Sequence, residues 1–118
     1  MYKVIIAGCR DFTDYTLLCS FSDQVLAGAE DIEIVSGGAR GSDAMGEQYA
    51  REHGYSLKVF PAEWKKWGRA AGPIRNGQMA DYADALIAFW DGKSAGTRDM
   101  IRKAEEKGLR VEVQMYGN

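Results

Sequence analysis

The sequence is poor in the residues that build metal sites and disulfide scaffolds. Two cysteines, Cys9 and Cys19, and one histidine, His53, are too few for a zinc site. They show neither a C-x-x-C spacing nor the density of a secreted scaffold, so a reducing, cytoplasmic compartment is expected. An excess of either charge is also missing. Fifteen basic and seventeen acidic residues leave a net charge of −2, which excludes overall attraction to a polyanion such as duplex DNA and leaves room only for a local basic pocket. Long hydrophobic runs are absent too. The opening run, Val4-Ile5-Ile6-Ala7-Gly8, is too short for a secretion signal or a membrane span, and no later run reaches such a length either. No repeat, linker or low-complexity tract interrupts the chain. Its 118 residues, 46% hydrophobic and 27% charged, fit one domain, residues 1–118, that buries a core without staples.

What is present alternates. Short apolar segments at Val4 to Gly8, Ile32 to Val35, Leu57 to Phe60, Ala85 to Trp90 and Leu109 to Val113 read as strands, most of them without a polar face. Such runs suit a parallel sheet covered on both sides. Between them, Tyr15 to Ala27, Asp43 to His53, Pro73 to Tyr82 and Thr97 to Lys107 carry apolar residues at helical period. Gly28, Gly54 and Gly108 stand where these helices should stop, Pro73 suits a first turn, and Asp14 and Ser42 are candidate N-caps. The series implies an α/β, three-layer, Rossmann-like doubly wound sheet of about five mostly parallel strands flanked by helices. Ligands in such sheets bind beyond the carboxyl ends of the strands.

The unusual residues lie in those places. Gly8-Cys9-Arg10-Asp11 follows the first strand, Ser36-Gly37-Gly38-Ala39-Arg40-Gly41-Ser42-Asp43 the second, and Ser94-Ala95-Gly96-Thr97 precedes the helix after the fourth. Each opens a helix, where glycines let the backbone approach a ligand and free N–H groups favour an anion. Arg10 and Arg40 add forked donors suited to phosphate. The connection from Pro61 to Asn76 carries Trp64 and Trp67 among basic residues. Either tryptophan reads as a platform for a flat ring or as a cover for the sheet's end. Arg75-Asn76 should face the same crevice. Asp43 and Asp11 read as helix caps or as acceptors for ribose hydroxyls. Trp90 reads as core. Cys9 and His53 are not catalytic candidates.

These motifs resemble the SLOG superfamily, which unites the Rossmann domain of DNA-processing protein A, the lonely-guy phosphoribohydrolases and many small bacterial and phage proteins. Gly8-Cys9-Arg10 resembles its first G-x-R turn, and Ser36 to Asp43 its S-G-G-A-R-G-x-D signature. Phe60-Pro61-Ala62-Glu63-Trp64, Ala71 to Asn76 and Ser94 to Thr97 are similar to the stand-alone YspA-like branch. The resemblance implies a nucleotide or NAD-derived ligand, held by these loops, and a homo-oligomer. The lonely-guy enzymes carry a catalytic glutamate three residues after the Gly-Thr pair, where this sequence has Met100. Methionine is neither acid nor base.

The leading expectation is therefore a small nucleotide-like ligand that is sensed, carried or sequestered. The ligand contacts would be Gly8, Arg10, Asp11, Ser36, Gly37, Gly38, Arg40, Gly41, Asp43, Trp64, Arg75, Asn76, Ser94, Gly96 and Thr97, with no catalytic residue, metal ligand or assigned cofactor and no membrane partner. An N-glycosidic hydrolase of nucleotides is the second reading. Single-stranded DNA on Lys65, Lys66, Arg69 and Arg75 with the two tryptophans is the third.

Overall fold

Continuous apolar runs form the middle of a five-stranded sheet, as the computed structural model of the chain shows for residues 1–117. The elements follow in the order β1 (Tyr2–Gly8), α1 (Tyr15–Val25), β2 (Ile32–Ser36), α2 (Ser42–His53) and β3 (Ser56–Val59). After these come α3 (Trp64–Trp67), a 3₁₀ turn (Gly68–Ala70), α4 (Ala71–Tyr82), β4 (Ala85–Trp90), α5 (Ala95–Glu106) and β5 (Arg110–Met115). Strand order is β3-β2-β1-β4-β5, and every pairing is parallel. Val4 stands beside Ile34 on one side and Ala85 on the other, so β1 is the central strand.

Alternate residues of β1 serve opposite layers, as a strand's period of two requires. Val4 and Ile6 pack with Leu18 of α1 and Tyr49 and Ala50 of α2. Ile5 and Ala7 pack with Met79 and Ala80 of α4 and Met100 and Ala104 of α5. Helices thus cover both faces, and the fold is a Rossmann-like α/β sheet. From β1 the chain winds outward to β3 with helices on one face. It then crosses back to β4 and winds outward to β5 with helices on the other. The reversal opens a crevice beyond the carboxyl ends of β1 and β4.

Both outer strands depart from the expectation of a sheet covered everywhere. β3 is mostly exposed and β5 only half-buried, because each has a neighbour on one side and little helix above it. Helix boundaries show three further differences. Asp14 caps α1 as expected, accepting from the Leu17 N–H at 3.0 Å. Ser42 does not cap α2: it is the first helical residue, Gly41 holds the cap position, and the buried Ser42 hydroxyl donates instead to the Cys9 carbonyl at 3.2 Å. The connection after β3 is not plain loop, since α3 and the 3₁₀ turn occupy it and α4 begins two residues before Pro73. α1 stops at Val25, earlier than its periodicity suggests, and Gly28 lies in the turn beyond it. No helix among the described residues is long and apolar enough to cross a membrane.

Candidate functional site

The turn after β1 is built by close backbone packing. A Cβ on Gly8 would lie 2.3 Å from the Phe89 carbonyl oxygen and 2.7 Å from the Ser42 hydroxyl, so this position admits only hydrogen. Gly41 has φ of 74° and sits against the preceding loop, where a Cβ would come 2.5 Å from the Arg10 carbonyl oxygen. These two glycines let the loops after β1 and β2 touch each other. The touching is structural, and it sets Arg10 and Arg40 side by side over the crevice.

The Ser36–Asp43 loop is braced from within. The Gly38 N–H donates to the Ser36 hydroxyl oxygen at 3.0 Å, while that hydroxyl donates to Glu47 at 2.7 Å. The Ala39 N–H donates to Asp43 at 3.3 Å, and the Arg75 guanidinium donates to the Gly37 carbonyl. Two amides that a phosphate cradle would use are therefore already engaged. What the loop presents outward is the Arg40 side chain. Similarly, Asp91 accepts from the Lys93 and Ser94 N–H groups at 2.8 and 2.9 Å, and Ser94 accepts from the Thr97 N–H. Ala95 and Gly96 keep the free first-turn N–H groups of α5.

Two adjoining cavities occupy the crevice. The larger, about 840 Å³, has an apolar floor from Ala7, Met79 and Met100 and is lined by Gly8, Arg10, Asp11, Arg40, Asp43, Trp64, Arg75, Asn76, Ser94, Gly96 and Thr97. The smaller, about 440 Å³, adds Gly37, Gly38, Pro61 and Ala62, with Arg10, Ala39, Arg40, Trp64 and Arg75 shared between the two. Of the residues expected from sequence, Ser36 and Gly41 reach neither cavity; they hold the loop. Sequence reasoning names Met100 only for its place at the glutamate position and does not reach Met79 or Asp99 as lining residues, because helical apolar periodicity marks core and floor alike.

Charge is unevenly placed. Among the described residues, neither Arg10 nor Arg40 joins an ion pair. Arg10 lies 5.9 Å from the Trp64 ring, a loose cation–π approach. Arg75 is half-buried, which lowers its pKa despite the nearby Asp43 carboxylate. Asp43 is 5% exposed. Burial raises its carboxyl to about 6, against the opposing pull of the Ala39 N–H and Arg75. Asp99, 19% exposed, behaves in the opposite way: burial raises its carboxyl, but Asn76 and Lys103, at 3.0 and 2.9 Å, together with Arg102 outweigh burial and hold it below the usual range. Met100, at the position of the lonely-guy glutamate, is buried in the α4–α5 layer.

Cys9 is buried against Thr97, with Sγ 3.7 Å from Oγ1. Its sulfur and the carboxylates of Asp11 and Asp91 lie within 4.8 Å of one another. Tyr116, beyond β5, donates to Asp11 at 2.9 Å and meets Phe12 edge-on at 4.7 Å, which ties the last strand to the first loop. Trp90 is half-buried, donating from its ring to the Ser94 carbonyl at 3.1 Å. It steadies the α5 start.

The fold is shared with solved structures. DNA processing protein A from Streptococcus pneumoniae superimposes with a TM-score of 0.77 at 19% identity, covering all of this chain and 51% of that one. The present chain thus spans about half the length of that relative. TM1055 matches with a TM-score of 0.68 at 20% identity over 94% of this chain and 72% of its own. In sequence, the Gene 61 protein of Mycobacterium phage D29 is 33% identical over 118 residues, 94% of each protein. Residues 2–67, which contain β1 to β3 and the Ser36–Asp43 loop, match the family described as YspA, cpYpsA-related SLOG, and the chain belongs to that family.

Proposed function

We propose that the crevice binds a phosphate-bearing nucleotide or nucleotide-derived ligand, and that the protein senses, carries or sequesters it. The observation that carries this reading is the pair Arg10 and Arg40, which join no ion pair among the described residues and line a cavity with an apolar floor at the sheet's switch point. A guanidinium left without a carboxylate is the natural partner of a phosphate. The floor of Met79 and Met100 suits a flat ring, and Asn76 and Thr97 offer hydrogen bonds beside it. Because two amides of the Ser36–Asp43 loop are engaged, the phosphate falls to the arginines. A thermal-shift and titration panel of AMP, ADP, NAD and ADP-ribose tests the reading. At least one ligand should raise the melting temperature, and Arg40→Ala should remove the effect. No shift with any phosphate-bearing ligand overturns it.

One observation favours a second reading, N-glycosidic hydrolysis. Asp43 lines the larger cavity with its carboxyl held at about 6, the range in which a group both gives and takes protons near neutrality. Asp99 lacks that property, since its partners keep it ionised. Hydrolysis predicts free base from AMP at high protein concentration, lost in Asp43→Asn. Intact AMP rejects it.

A further inference from the structure

The two cavities differ in charge balance. Arg10, Arg40 and Arg75 line both, but among the described residues no carboxylate lines the smaller one. In the larger, Asp11, Asp43, Asp91 and Asp99 stand opposite the same three arginines. The division follows from the fold. Asp43 lies on the first turn of α2, while Asp91 follows β4 and Asp99 lies in α5, on the far side of β1 from β3. The smaller cavity lies over β2 and β3, between the Gly37-Gly38-Ala39 backbone and the Pro61-Ala62 turn.

We infer that the smaller cavity is a subsite for a polyphosphate group, so that the ligand carries at least two linked phosphates and the larger cavity takes its neutral, hydrogen-bond-donating end. This rests on the nucleotide reading above and adds the phosphate count to it. Size supports it: a volume of about 440 Å³ far exceeds the roughly 30 Å³ share of a water molecule, and a single phosphate is only a few times that. Charge supports it as well. Among the described residues Arg10 and Arg40 have no ion-pair partner, and Arg75 shares its charge with Asp43 across the loop, which leaves between two and three positive charges to be matched. One phosphate monoester brings at most two negative charges; a diphosphate brings about three. The carboxylates of the larger cavity repel phosphate and accept from ribose hydroxyls and ring amino groups, so the ligand is oriented as well as held.

The experiment is isothermal titration of the full chain with inorganic phosphate, pyrophosphate, AMP, ADP and ADP-ribose, on the native protein and on Ala62→Glu. Ala62 is a half-buried lining residue with no part in the core, so a carboxylate there adds negative charge to the smaller cavity alone. Expected are pyrophosphate at least about tenfold tighter than phosphate, ADP at least about tenfold tighter than AMP, and loss of both preferences in Ala62→Glu, because the added carboxylate weakens pyrophosphate and ADP more than phosphate and AMP. AMP and ADP binding equally overturns the subsite and leaves the nucleotide reading standing. Pyrophosphate binding without any nucleotide supports the subsite and overturns the nucleotide reading. Silence from all five ligands overturns both. Circular dichroism of Ala62→Glu guards against misfolding, and Arg40→Lys, which keeps the charge but loses the fork, gives an independent variant: it should narrow the ADP preference without abolishing it.

Discussion

The loop after β2 and the segment after β3 border the same smaller cavity, yet they are built on opposite plans. Residues 36–43 are braced by hydrogen bonds within the loop and to the elements around it, and include the buried Ser36, Gly37, Ser42 and Asp43. Residues 61–70 are almost all exposed, and Trp64 and Trp67 leave 50% and 44% of their surface in water. The first region fixes positions, and the second supplies surface. Substitutions should therefore act on stability in the first region and on binding in the second, with Arg40, carried by the first but exposed, behaving like the second.

The severest test is Gly41→Ala. The new Cβ would meet the Arg10 carbonyl at 2.5 Å on a backbone at φ 74°, and thermal unfolding should show a loss of roughly 3 kcal/mol. Melting like that of the native chain would break the comparison. Next comes Asp43→Asn, followed by urea unfolding from pH 4 to 7. The folded carboxyl titrates at about 6, above its ordinary value near 3.8, so the native state holds the proton more tightly than the unfolded chain does. The contribution is fully present below pH 4 and is lost as pH rises through 6. Relative to the native chain, Asp43→Asn should gain up to about 3 kcal/mol across that window. A difference that stays flat with pH would mean the carboxyl is not held by burial.

Arg40→Ala should leave the melting temperature within the equivalent of about 0.5 kcal/mol while weakening ADP binding at least about tenfold. Loss of stability would place Arg40 with the brace. The smallest effects belong to the tryptophans. Trp64→Ala should weaken binding a few-fold and Trp67→Ala should leave it unchanged, both folding normally, as titration and circular dichroism would show. Unfolding of either variant would mean that the segment after β3 is structural after all.

Much of the frame is legible in the sequence because it rests on period and punctuation. The runs Val4 to Gly8 and Ala85 to Trp90 are β-branched or aromatic, too short for helices, and end at loops that must turn. What stays hidden is the partner of each polar group. The sequence supplies Ser36, Gly38 and Ala39 as donors. It does not reveal that Gly38 and Ala39 donate within the loop, because that depends on Asp43 and Arg75 arriving from two helices. Ser42 has the composition of a cap but lies under the Cys9 carbonyl, a contact between residues 33 apart. The α3 turn escapes for another reason. Four residues, Trp64 to Trp67, are too few to show a helical period.

The bond from Tyr116 to Asp11 joins residues 105 positions apart, and its consequence concerns time. A wholly parallel sheet forms by long-range closure, which makes assembly slow compared with local helix formation. During synthesis the loop carrying Arg10 emerges early, but the aromatic clamp of Phe12 and Tyr116 closes over it only when the last strand has docked beside β4. The crevice is then completed only at the final step of folding. A nucleotide that stabilises the native chain would act on that step, holding β1 and β4 together after β5 arrives.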